Sequence, residues 1–329
     1  YSEALKGSEN TSPKFDSVKD IYMSLLANLD AAMGMMDNGG LNGDILFGGN
    51  MNGWRVMANT IKMRIALRMA DVDSSTAASV FNSAYNGGVI SSGGDLHYPY
   101  LTSDAFDNPW QDRFQTRYDF VVSKLFIDHL KSTGDPRLPY MADGTKISNG
   151  TEYVGLEYGL ENPGVLETLL SGIDGRIIYD GTQQGGWIAT YSEVCFAMAE
   201  ANQRGWTSVG DTLTWLKLGI QASCERWGVP SASAASFANA ATLGSNPMET
   251  IAMAKWTDMF LQGYEAWTEW RRLDYPVLSP PAAAITGTGV PVRNGYGGLV
   301  PTQNKASYDA AVAAQGPDNQ DTKLWWDTK

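Results

Sequence analysis

The stretch Lys255-Trp256-Thr257-Asp258-Met259-Phe260-Leu261-Gln262-Gly263-Tyr264-Glu265-Ala266-Trp267-Thr268-Glu269-Trp270-Arg271-Arg272-Leu273-Asp274-Tyr275-Pro276 decides how the chain is read. Met253, Trp256, Phe260, Tyr264, Trp267 and Trp270 recur at steps of three and four residues, the period of one helix face. Pro276 marks a stop. The spacing predicts the longest helix of the chain over Met248–Arg272. Glu265 and Glu269 lie one turn apart, and Arg271 and Arg272 follow at once. A Trp stripe at helical spacing first suggests a ligand platform. With carboxylates and guanidinium groups between the rings, it reads better as core held by ion pairs, because paired charges offset each other's loss of water.

Helical periodicity also governs the flanks. Phe15, Val18, Tyr22, Leu25, Leu29, Ala32 and Met36 keep the period between Pro13 and the stop Asn38-Gly39-Gly40. A second helix is expected over about Trp54–Ala70, with Arg64 and Arg68 one turn apart. A third starts at Asp73 or Ser74, either of which can cap free N–H groups, and stops at Gly87-Gly88. Further helices are read over Tyr118–Lys131, Trp187–Asn202 and Asp211–Trp227. The short link through Arg204-Gly205-Trp206 makes the last two a hairpin. A short helix near Tyr308–Ala314 is the exception in an irregular C-terminal part. Helix pairs with little strand signal predict a mainly all-α chain of stacked helical hairpins, although no clean 34-residue repeat is visible.

Two segments break the pattern. From Gly88 to Arg117 periodicity vanishes, and from Pro136 to Gly186 the chain is rich in Gly and Tyr, with Arg176–Tyr179 readable as a short strand. Loops this long are functional or disordered, and these carry too many aromatic residues for disorder. Tyr98, Tyr100, Phe106 and Trp110 stand among Asn108, Arg113 and several Asp, while Tyr153, Tyr158 and Trp187 flank the second loop. A sugar ring has an apolar face of C–H groups and an edge of hydroxyls. Flat side chains cover the first, and amide or guanidinium groups bond the second. Tyr98, Tyr100, Phe106, Asn108, Trp110, Arg113, Tyr153, Tyr158 and Trp187 are therefore the candidate ligand contacts.

Other chemistries find less support. The formal charge is -12, which disfavours nucleic acid and leaves neutral or cationic ligands open. His97 and His129 have no serine elbow or Cys nucleophile beside them, so no catalytic residue is assigned. Cys195 and Cys224 sit in apolar helical patterns and read as buried free thiols. Asp143–Asn149 resembles a calcium loop but puts Ile147 at a ligand position, so it reads as a turn. No metal or cofactor is expected. There is no run of eighteen apolar residues. The opening Tyr1-Ser2-Glu3-Ala4-Leu5, without an initiator Met, is expected to be the middle of a longer precursor.

The segment from Met253 to Pro276 resembles the signature helix of the SusD/RagB family of outer-membrane nutrient-binding lipoproteins. Tyr1–Leu5, Gly53-Trp54 with Arg64–Arg68, Asp135–Leu138, Ser192–Val194 with Ala199–Ala201, Pro291–Arg293 and Lys323–Asp327 match in the family's order. The resemblance implies one SusD-like domain over 1–329. Its tetratricopeptide-like scaffold would span about 13–87, 118–133 and 187–272, its ligand-face loops about 88–117 and 136–187, and an irregular part 273–329. It further implies a non-catalytic protein at the cell surface, anchored to the outer membrane by a lipid on an N-terminal part absent here. That protein would deliver oligosaccharide or polysaccharide to a SusC-like TonB-dependent β-barrel transporter. Oligopeptide capture by the same architecture is the alternative, and a glycosidase the third reading. The family has no invariant ligand residues to carry over, so the nine contacts rest on loop chemistry.

Overall fold

A computed structural model describes residues 1–37, 39–161, 163–179, 186–284 and 289–329. The expected stop residue Asn38 and part of the second loop, Asn162 and 180–185, lie outside them, as do 285–288 of the C-terminal part. Among the described residues the chain is mainly α-helical. The first three helices are α1 (Val18–Met35), α2 (Met51–Arg68) and α3 (Ser74–Asn86). The first loop holds α4 (Pro109–Phe114), followed by α5 (Lys124–Ser132), α6 (Leu138–Met141) and α7 (Gly175–Ile178). Then come α8 (Tyr191–Gln203), α9 (Thr212–Arg226), α10 (Ser231–Ala240), α11 (Pro247–Asp258) and α12 (Gly263–Leu273). The short α13 (Val300–Gln303) and α14 (Lys305–Gln315) close the series. A two-stranded antiparallel ribbon, β1 (Leu96–His97) with β2 (Trp187–Ala189), ties the two loops together.

Local sequence explains most helix starts. Ser17, Asn50, Asp73, Thr190, Asp211 and Asn246 each present a side-chain oxygen to a free N–H of the first turn. Packing then stacks the helices in pairs. Met63, Ala66 and Leu67 of α2 meet Phe81 and Ala84 of α3 and Val194, Met198 and Ala201 of α8. On the other side of α8, Phe196 and Ala199 pack with Leu216 and Ile220 of α9, Ala234 of α10 and Ile251 of α11. A Cβ on Gly219 would sit 2.6 Å from the Phe196 ring, so the α8–α9 contact needs glycine there. A third cluster, with Phe126, Ile127, Met141, Ile177 and Trp227, joins α5, α6 and α7 to the end of α9, and Trp256 and Phe260 pack on it.

The structure corrects several local expectations. The single helix over Met248–Arg272 is two helices, broken where Leu261 turns to φ 67°. That conformation costs a non-glycine residue roughly 1–2 kcal/mol, and Leu261 packs against the third cluster, which offsets it. The break turns Tyr264 outward, 81% exposed. The helix read from Tyr118 begins only at Lys124, because Ser123 supplies the cap and Tyr118–Phe120 remain outside it. Arg176–Tyr179 is helical rather than a strand, since Asp174 caps the turn at Arg176 N. Pro109–Phe114 forms a helix where no periodicity was visible, and α10, built largely of Ala and Ser, had no apolar period to find.

Ion pairs between α2, α8, α11 and α12 bind the layers. Arg272 reaches Glu200 at 2.5 and 2.7 Å and Glu269 at 2.6 Å. Lys255 pairs with Glu269 and lies 3.5 Å from Glu200. Arg64 holds Glu193 at 2.7 and 2.8 Å, and Arg68 pairs with Glu265. The crevice among these groups encloses about 10 Å³, room for one water at most. Burial pushes the Glu200 and Glu269 carboxyls up, but the charges of Arg272 and Lys255 outweigh it and hold both below the ordinary range. The ion-pair reading of the signature segment thus holds for Glu265, Glu269 and Arg272. Arg271 instead lies 3.7 Å from the Trp267 ring and 4.8 Å from Trp326.

Replacing Arg272 by Met removes the cation that two buried carboxylates share. The expected cost is about 3–5 kcal/mol, read as a melting midpoint lower by roughly 5–10 °C in circular dichroism. A fall below about 2 °C would refute the role given to this residue. Because both folded-state pKa values are depressed, the stabilisation is complete above the unfolded Glu value of roughly 4.3 and is lost as pH falls through the folded values. Cys195 and Cys224 are buried free thiols whose pKa burial pushes up to about 12. A thiol reagent at pH 8 is expected to leave both unmodified in the folded protein and to titrate both after denaturation.

Candidate functional site

The two loops meet at the β1–β2 ribbon, where His97 pairs with Trp187 and Tyr98 N donates to Gly186 O at 3.0 Å. This brings three of the expected contacts together. The Tyr98 and Tyr100 rings lie 4.8 Å apart, and His97 bridges Tyr100 at 6.2 Å to Trp187 at 5.0 Å. The Arg226 guanidinium covers Trp187 from 5.0 Å. Tyr98 is 41% exposed, whereas Tyr100 and Trp187 are only partly so. A Cβ on Gly186 would sit 2.4 Å from the Tyr100 ring, so that ring is packed down on the backbone of the other loop.

A second aromatic group forms around α4. Pro109 opens this helix, and the Asn108 side chain accepts from Trp110 N at 2.9 Å. Asn108 is 1% exposed, which corrects its assignment as a ligand contact: it positions Trp110 from below. Trp110 meets Phe120 at 6.1 Å and Arg113 lies 5.2 Å over the same ring. Phe114 underlies both Tyr118 and Phe120, at 5.6 and 6.2 Å. The Tyr118 and Tyr179 hydroxyls hydrogen-bond each other, and Lys146 Nζ sits 4.5 Å over the Tyr118 ring.

These rings border a cleft of about 390 Å³, lined by Tyr118, Phe120 and Tyr179 with Asp143, Lys146 and Glu167. Its volume falls in the range of small-ligand sites, roughly 300–1,000 Å³. Asp143 accepts from Gly175 N at 3.3 Å, and the protein around it strips enough water that burial raises its pKa. Lys146 pairs with Glu167 at 3.3 Å. Rings beside carboxylate and ammonium groups can cover the apolar face of a pyranose and hydrogen-bond its edge.

The other expected contacts lie apart from these groups. Phe106 is 65% exposed at the closing end of a turn in which Leu101 N donates to Phe106 O at 2.9 Å. Tyr153 packs on the core cluster of α5–α7, and Tyr158 donates to Ser279 O at 2.6 Å, fastening its loop to the C-terminal part. Tyr118, Phe120 and Tyr179 escaped the sequence reading because the first two were assigned to a helix and the third to a strand. Four aromatic residues between Trp110 and Phe120, with the cap residue Ser123 just after them, were the available signal. The Tyr100 and Tyr118 groups are linked through the second loop. Gly186 packs against Tyr100 and Tyr179 bonds Tyr118, so the second loop contributes a residue to each group.

His129 is engaged with Thr257 Oγ1 at 3.1 Å and is lowered in pKa by burial. Asp143–Asn149 forms a turn with Asn149 left-handed, φ 53°. Among the described residues no three His, Cys, Asp or Glu side chains are grouped to hold a metal ion, and no helix is long and apolar enough to cross a membrane.

Comparison with known proteins agrees with this architecture. A search of curated proteins finds no match. Among solved structures, a chitin-binding protein is 28% identical with a TM-score of 0.85, the match covering 100% of this chain and 76% of that one. A SusD homologue from Bacteroides uniformis is 23% identical over 99% of this chain and 76% of its own, with a TM-score of 0.85. Another, from Bacteroides fragilis, is 24% identical over 100% and 79%, with a TM-score of 0.84. The helical layers thus have the fold of the SusD homologues. Residues 1–297 match the family model SusD-like_2, described as starch-binding associating with outer membrane, and the chain belongs to that family.

Proposed function

We propose that this protein captures glycan without catalysis, holding it on the aromatic surface that runs from Trp110 and Phe120 to the cleft beside Tyr118 and Tyr179. The observation that carries the reading is the cleft itself. Exposed rings stand beside Asp143, Lys146 and Glu167 on a fold whose family is one of carbohydrate-binding proteins at the outer membrane. Tyr98 and Phe106 extend the same chemistry along the first loop. The similar chitin-binding protein favours a polysaccharide of β-linked sugars. In this proposal the 329 residues act as one domain, lipid-anchored and facing outward. It hands bound oligosaccharide to a SusC-like TonB-dependent β-barrel transporter.

Titration calorimetry against a panel of oligosaccharides is expected to show saturable binding, with no reducing ends released on prolonged incubation. Phe120→Ala and Trp110→Ala each remove one stacking face and are expected to weaken binding roughly five- to tenfold. Saturable binding to peptide mixtures with none to glycan would replace this reading by oligopeptide capture. Release of new reducing ends would replace it by hydrolysis.

A further inference from the structure

We infer that the cleft between Tyr118 and Tyr179 selects glycan carrying a protonated amino group, with Asp143 as the counter-charge. The inference rests on the glycan reading above and adds the class of sugar to it. Asp143 is open to the cleft, and the two cations nearest it are committed elsewhere. Lys146 pairs with Glu167 at 3.3 Å, and Arg176 pairs with Asp174 at 2.6 Å. Among the described residues the Asp143 carboxylate makes no ion pair of its own and accepts a single long bond, from Gly175 N. A partly buried carboxylate with no ion-pair partner in contact is stabilised by an ammonium that enters beside it.

The rings beside it are suited to the same guest. The faces of Tyr and Phe attract a cation held within about 6 Å. In this cleft Lys146 already places its ammonium 4.5 Å from the Tyr118 centroid. The protein's own lysine thus marks a position where positive charge is favoured. Gly175 keeps the second ring within reach of the carboxylate. A Cβ there would sit 3.1 Å from Tyr179 Cδ2 and 3.7 Å from Asp143 Oδ2, so both border the space that glycine leaves free. A 2-amino sugar offers what this arrangement asks for. Its C–H face covers a ring, and its ammonium lies at the ring's edge, where a carboxylate can meet it. A neutral sugar uses the rings and leaves Asp143 unpaired. The chain's net charge of -12 acts in the same direction.

Three hexamers with one β-1,4 backbone separate the possibilities: glucosamine, N-acetylglucosamine and glucose. At pH 6 and low salt the glucosamine hexamer is expected to bind about tenfold more tightly than either neutral hexamer, a preference that shrinks as salt is added. Asp143→Asn can still accept from Gly175 N. It is expected to bring the ratio close to one, with an unchanged thermal melt as the check on folding. Lys146→Gln removes a competing ammonium and is expected to increase the ratio. Equal binding of the three hexamers overturns the inference and leaves glycan capture standing. A preference that survives Asp143→Asn also overturns it, as does tetralysine competing as well as the glucosamine hexamer. Binding to none of the hexamers, nor to any other glycan, overturns the reading on which the inference rests.

Discussion

The Glu200–Arg272–Glu269–Lys255 knot is the constraint on which the remaining layers depend. All four residues lie in the interior, and they come from α8, α11 and α12. Removing charge from water costs several kcal/mol per ion, and the cost is met only if each group finds its partners in good geometry. Apolar packing tolerates small slips between helices, whereas a forked Arg272 bonded to two carboxylates does not. Arg64 carries the same demand to α2 through Glu193, and Arg204 fastens Glu200 to Asp71 beyond the end of α2. Four helices are therefore registered against one another by charge as well as by shape.

That registration explains how an irregular surface can be held in place. α4, α5, α6 and α7 are short and would not persist alone, since isolated short helices are marginal in water. They pack instead on Trp227 at the end of α9 and on Trp256 and Phe260 around the break between α11 and α12. Asp258 adds a polar tie, accepting from Ser192 at 2.9 Å and from Arg226 at 2.6 Å. The Arg226 that bonds Asp258 also covers Trp187, so one side chain connects the helical interior to the ribbon between the loops.

Legibility in the sequence followed the physics of each part. Helices with a long apolar face announce themselves by period, and α1, α2, α3, α8 and α9 were readable to within a few residues, as were the ion pairs of Glu265, Glu269 and Arg272. The break at Leu261 was not, because the apolar period continues across it and only tertiary packing holds a leucine at positive φ. In the loops the residue types were readable but their directions were not. Asn108 and Trp110 are two residues apart in one motif, yet one is buried as a cap and the other stands beside Phe120. Tyr158 spends its hydroxyl on Ser279, more than a hundred residues away, which no local pattern could reveal.

The buried charges of the scaffold and the exposed side chains of the loops therefore answer to different physical demands. In the knot, charges of both signs are interior and offset one another, so any change is felt as stability. The chain nonetheless carries 36 Asp and Glu against 24 Lys and Arg. Since buried carboxylates are matched by buried cations, that excess resides on exposed positions, where single substitutions are cheap. A surface of this kind can drift in composition while the scaffold stays fixed, and its field reaches a ligand before contact. Where exposed rings and carboxylates adjoin, as at Tyr179 and Asp143, a change of side chain alters the charge and shape of the cleft without reaching the buried knot.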